Sequence, residues 1–111
     1  MDDAFLIELF APVCPVTVRR MFGGQGIYCP AGICAVVVDG ALHVKGDDVS
    51  APRYEAAGMT RWTYTTPRTG RHSSMPYWQV PDEALDSPEA MAPWARLAME
   101  TAERAQPASA G

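Results

Sequence analysis

Residues 19–28, Arg-Arg-Met-Phe-Gly-Gly-Gln-Gly-Ile-Tyr, decide how the rest of the chain is read. Two cations and two large apolar side chains run into Gly23, Gly24 and Gly26. Glycine at that density marks a chain reversal with φ > 0, or a close approach of another backbone or a ligand. Upstream, the β-branched Val16 and Val18 alternate with Thr17 and Arg19, so residues 16–22 are expected to form a strand. Gly23 and Gly24 are expected to make the turn, with the return strand starting at Gly26. A phosphate-cradling glycine loop joins a strand to a helix N-terminus and has a different spacing. Here strands lie on both sides, so the stretch reads as a hairpin and not as a nucleotide site.

Working outward, residues 2–11 read as a helix. Asp2 and Asp3 suit its positive end, and Leu6, Leu9, Phe10 and Val13 recur on one face until Pro12 and Pro15 stop it. Past the glycines, Pro30, Ala31 and Gly32 are expected to interrupt the return strand, whose apolar run 33–38 becomes central. Asp39-Gly40 is a type I′ hairpin signal, and residues 41–45 complete that hairpin. Asp47, Asp48 and Ser50 are N-cap candidates for a short helix over 51–57, which Gly58 closes in a left-handed conformation. Residues 60–66 and 72–79 form a further hairpin, with Pro76 marking an edge or a bulge.

Ser87-Pro88 opens the last helix, which runs to Arg104 with Met91, Trp94, Ala95, Ala98 and Ala102 on one face. Pro93 removes a bond to Glu89, so the regular part is expected only from Ala92. One domain over residues 1–104 and a disordered tail over 105–111 follow. Hairpin-length connections imply an α+β fold: an antiparallel sheet of about five strands in the order α-β-β-β-α-β-β-α, with helices on one face. The other face is left open to polar and aromatic residues.

The 111 residues allow a single core, and 48% hydrophobic with 20% charged residues is a globular composition. The net charge of −4 arises within residues 81–111, because residues 1–80 carry seven basic and seven acidic groups. A non-specific nucleic-acid binder usually shows a basic excess, and the chain as a whole does not. The segment 53–71 nevertheless holds four arginines against Glu55 alone. Cys14, Cys29 and Cys34 are odd in number, and the Met-Asp-Asp start lacks the basic and apolar regions of a secretory signal. No run approaches the about 18 apolar residues of a membrane span. A cytoplasmic protein is expected, its reduced thiols serving as small apolar fillers near the sheet. His43 and His72 add too little for a metal site, and no cofactor signature is present.

A nucleophilic triad needs Ser or Cys, His and an acid in reach of one another. His43 lies mid-strand and His72 opens a strand beside Ser73 and Ser74; neither sits at a glycine elbow or a helix start. No catalytic residue is assigned and the chain is read as non-enzymatic. Strand alternation separates the two arginines. Arg20 shares a face with Val16, Val18 and Phe22, and reads as a core-side cation paired to Asp47 or Asp48, since a buried unpaired charge is very costly. Arg19 faces outward with Thr17 and Met21 and is a binding candidate, as is Lys45. Trp62, Tyr64, Tyr77 and Trp78, flanked by Arg61, Arg68 and Arg71, resemble a stacking surface for nucleic acid or a partner's anchor site. Their plainer reading is packing under the last helix, opposite Trp94.

These residues carry a family resemblance. The pieces are Arg19-Arg20-Met21-Phe22-Gly23-Gly24 with Gly26-Ile27-Tyr28, Asp39-Gly40, and Val44-Lys45-Gly46-Asp47-Asp48. They continue with Tyr54-Glu55-Ala56-Ala57-Gly58-Met59, Met75-Pro76-Tyr77-Trp78-Gln79-Val80-Pro81, and Trp94-Ala95-Arg96-Leu97-Ala98. In this order, over roughly residues 4–104, the chain resembles the N-terminal domain of the TfoX/Sxy family of bacterial competence regulators. His43 stands where the family commonly has tyrosine and Pro76 where it has serine. The resemblance implies a secretion-chaperone-like α+β fold and non-enzymatic work in transcription regulation. It implies contact with another protein of the transcription machinery or a regulator, no cofactor, and possible homodimers. Direct DNA contact, or a small molecule on the open sheet face, is the alternative. Full-length regulators add a C-terminal helical domain, and this chain is expected to be a stand-alone first domain.

Overall fold

The computed structural model describes residues 1–21 and 23–106. Phe22, and residues 107–111 of the expected tail, lie outside the described residues. The chain runs through α1 (Asp3–Phe10), β1 (Thr17–Met21), β2 (Gly24–Cys29), β3 (Gly32–Val38), β4 (Ala41–Lys45) and α2 (Ala51–Ala56). It continues through β5 (Arg61–Thr65), β6 (His72–Gln79), a 3-10 turn (Asp82–Asp86) and α3 (Pro88–Arg104). All strands join one antiparallel sheet in the order β1-β2-β3-β4-β6-β5. After the β3–β4 hairpin, α2 carries the chain outward to β5, and β6 folds back against β4. The α+β class read from the sequence is the observed one.

The sheet has six strands where about five were expected, and the reason is local. Cys29 pairs with Gly32, so Pro30-Ala31 reverses the chain and does not merely interrupt a strand. The glycine stretch also divides differently. Met21 pairs with Gly24, so Gly23 (φ +75°) belongs to the reversal and Gly24 already to β2. A Cβ on Gly24 would run into the carbonyl of Val37, which explains glycine there without any ligand. Asp39 (φ 52°) and Gly40 (φ 74°) adopt the two left-handed conformations of a type I′ turn, as their dipeptide implied.

The helices cover one face. α1 begins where the Asp2 carboxylate accepts the Phe5 N–H at 3.0 Å, and it buries Leu6, Leu9 and Phe10. α3 lays Met91, Ala95, Ala98 and Ala102 over a sheet surface that includes Ile27, Ala35, Val37, Leu42 and Val44. Tyr54 of α2 fills the far end between Trp78 (centroids 5.6 Å apart) and Trp94 (6.2 Å). α3 is continuous from Pro88, although a regular helix was expected only from Ala92. Ser87 Oγ accepts the Ala90 N–H at 3.1 Å and starts it. Pro93 and Glu89 are both exposed, so the carbonyl that proline leaves without a donor faces water.

Candidate functional site

None of the six strands contains a carboxylate: every Asp and Glu lies in a helix, turn or loop. The strands do carry Arg19, Arg20, Lys45 and Arg61. On the side opposite the helices, register brings several of the expected binding residues together. Val36 pairs with His43, Gly26 with Val36, Arg19 with Gly26, and Lys45 with Tyr77. The centre of this face is apolar and aromatic. The ring of Trp62 stands 6.1 Å from that of His43 and 6.4 Å from that of Tyr77, both tilted. Val36, His43 and Tyr77 are buried although they lie on the side opposite the helices. Burial pushes the His43 imidazole below its usual range, against the opposing pull of the Ala41 carbonyl and Asp39. The neutral ring donates Nδ1–H to Ala41 O at 2.9 Å, leaving Nε2 as an acceptor.

At the rim, the Arg19 guanidinium lies over the Tyr28 ring at 4.9 Å from its centroid. Gly26 makes this possible, since a Cβ there would meet Met21 Sδ and the Tyr28 ring, each at 3.1 Å. Arg19 is exposed, as its outward assignment required, and Lys45 is half-buried. Tyr64 is 49% exposed on the projecting β5–β6 hairpin, whose loop carries Arg68 and Arg71, also exposed. Arg61 is engaged structurally: it stacks on Trp78 at 4.7 Å and its Nε donates to Met75 O at 2.9 Å.

Two sequence expectations are corrected. Arg20 is exposed and does not pair with Asp47 or Asp48. It does share the helix side with Val18, but β1 is an edge strand, and Arg20 lines a surface hollow with Asp2, Asp3 and Gln25. Asp47 instead takes Arg104, whose Nε donates at 2.8 Å and Nη2 at 2.9 Å. The second correction concerns the aromatics. Only Trp78 packs beneath the helices; Trp62 and Tyr77 stand on the open face, because Trp78 pairs with Val44 and its strand neighbour points the other way. His43, a mid-strand histidine with no role assigned from the sequence, forms part of the aromatic centre; its alternation with Leu42 and Val44 is the available signal.

Cys14, Cys29 and Cys34 are free and buried, as their filler role implied, and burial pushes the Cys14 and Cys34 thiols up. His72 Nδ1 lies 2.8 Å from Thr65 Oγ1. Among the described residues no group of three or more His, Cys, Asp or Glu is placed to hold a metal ion. Also among them, no helix is long and apolar enough to cross a membrane. A search of curated proteins returned no match. The stretch from the second half of α1 to the last turn of α3, residues 8–102, matches the TfoX N-terminal domain. With the match spanning every strand of the sheet, the chain belongs to the TfoX N-terminal domain family, which is associated with competence regulation.

Proposed function

We propose that this protein is a non-enzymatic interaction domain of regulatory type that docks a partner protein on the open face of its sheet. The observation that carries this reading is the helix-free face itself. It holds an aromatic and aliphatic centre of Val36, His43, Trp62 and Tyr77, rimmed by Arg19 and Lys45, on a sheet without a single carboxylate. The half-buried Trp62 ring, set against His43 and Tyr77 and edged by cations, offers the kind of aromatic anchor that dominates interface energetics. The complementary surface is an apolar patch edged with Asp or Glu. The family's association with competence regulation supports a regulatory partner, and a cytoplasmic location is part of this reading.

The test is site-specific photo-crosslinking in cells, with the reactive side chain placed at Tyr64 on this face and at Glu100 on α3. A discrete protein adduct from position 64, abolished by adding Trp62→Ala, is expected. Adducts from position 100 alone, or adducts indifferent to Trp62→Ala, would overturn the reading.

A further inference from the structure

The β5–β6 hairpin is longer than the sheet it belongs to. β4 pairs with β6 only from Tyr77 to Gln79, so, among the described residues, positions 63–65 and 72–74 have no strand partners except one another. Across residues 63–74 only Thr66 is even half-buried. This arm therefore contributes nothing to the core. An isolated two-stranded ribbon is marginal in water, and here the loop is ordered by its own polar groups. Thr66 N–H donates to Arg71 O at 2.9 Å and Gly70 N–H to Thr66 O at 2.8 Å, while Arg71 N–H donates to Thr69 Oγ1 at 3.2 Å. Gly70 supplies the left-handed residue (φ 69°) that closes it. The side chains of Arg68 and Arg71 are left exposed, and among the described residues neither makes an ion pair.

The composition of the arm is narrow. From residue 56 to residue 81 there is no Asp or Glu, although the whole chain is acidic. Besides its arginines, the arm carries Thr63, Thr65, Thr66, Thr69, Ser73 and Ser74. Arginines with Ser and Thr hydroxyls are the donors that proteins turn toward phosphate oxygens. A two-stranded β-ribbon is also of a size that enters the major groove of B-DNA. The acidic groups of the 3-10 turn and α3 lie at the helix layer, so a polyanion is repelled from that layer and steered to the arm.

We propose that the β5–β6 arm is a contact element for duplex DNA, gripping the phosphate backbone through Arg68 and Arg71 without reading sequence. Arg68 and Arg71 take no part in the ring contacts of the open face's aromatic centre, so the two readings fail independently. Fluorescence anisotropy with a labelled duplex tests it, using the full chain, Arg68→Ala/Arg71→Ala, Arg68→Lys/Arg71→Lys and Trp62→Ala. Each phosphate contact contributes a slope of about −0.9 to log K against log salt. The natural protein is therefore expected to lose affinity at least about 12-fold between about 50 and 200 mM salt through these two contacts. The double alanine variant should bind more weakly, with a slope shallower by about 1.8. The double lysine variant should keep the slope, and Trp62→Ala should bind DNA as the natural protein does. Both arginine variants should melt like the natural protein, because those side chains are exposed. No saturable binding at about 50 mM salt, equal slopes for the natural and double alanine proteins, or equal affinity for polyglutamate would each overturn the proposal, the last in favour of an acidic protein partner.

Discussion

Asp47 ties the start of α2 to the end of α3. Its carboxylate accepts the N–H groups of Val49 and Ser50, each at 3.0 Å, and both nitrogens of Arg104. Ser50, fully buried, returns the contact by accepting the Asp47 N–H, and its hydroxyl lies 2.9 Å from that of Thr101. The Arg104 guanidinium, helped by the Ser50 and Val49 donors, holds the Asp47 carboxyl well below the usual carboxylate range. A carboxyl depressed in the folded state contributes stability above its unfolded value of about 3.8, and that stability is lost as pH falls below it. Asp47→Asn is expected to cost about 1–2 kcal/mol at neutral pH and to flatten the acid side of the stability profile. Urea unfolding between neutral pH and pH 3 checks both. Arg19→Ala and Arg20→Ala should each cost under about 0.5 kcal/mol, since both side chains are exposed. The glycines differ more. Gly24→Ala must displace the Val37 backbone and should cost at least about 2 kcal/mol. Gly23→Ala meets nothing within 4 Å and should cost about 1 kcal/mol for its left-handed backbone alone. Chemical denaturation of the pair decides whether crowding or backbone conformation dominates the stretch.

At the scale of elements, α3 shows how context overrides a local rule. Proline inside a helix loses one hydrogen bond and crowds the preceding turn, which reads from the sequence as a break. The apolar stripe of Met91, Ala95, Ala98 and Ala102 starts before Pro93 and continues after it, and the whole stripe is buried. Burying it as one rigid rod outweighs a defect on the wet side. Pro93→Ala should therefore raise stability by about 1–3 kcal/mol, seen as a higher Tm with an unchanged far-UV spectrum. The element boundaries that depended on dihedral chemistry were legible. Asp39-Gly40, Gly58 and Ser87 each sit where their residue type implied. The strand count was not legible, because Pro-Ala-Gly can either interrupt a strand or reverse it, and only the pairing of Cys29 with Gly32 distinguishes the two.

At the scale of the whole molecule, the layers divide the charge and the reactivity. Carboxylates keep to helices, turns and loops, while Arg19, Lys45, Trp62 and Tyr77 occupy the open side of the sheet. The three thiols lie inside. Native protein should resist alkylation at Cys14, Cys29 and Cys34 near pH 8, and all three should react in denaturant, as intact-mass spectrometry would read. Rapid labelling of the folded protein would show that the layer opens. Of the expected binding residues, Arg19, Lys45, Trp62 and Tyr64 fall on the open side, whereas Arg61 is spent on Trp78. Trp62→Ala should leave the Tm within about 2–4 °C, because its ring faces away from the helices, while removing partner contact.

Periodicity, turn dipeptides and the glycine-rich hairpin are local properties, and the sequence alone determined from them the α+β class, three helices, the type I′ turn and the family. The destination of each charged or aromatic side chain depended on strand order. The sheet runs β4-β6-β5, so β6 lies inside it and β5 at its rim, and Tyr77 and Trp78, adjacent in sequence, point to opposite layers. Arg104 reached Asp47 across 57 residues, and Arg20 was left in water at an edge. Chain-distant pairing of this kind follows from how layers stack, which only the tertiary structure decided.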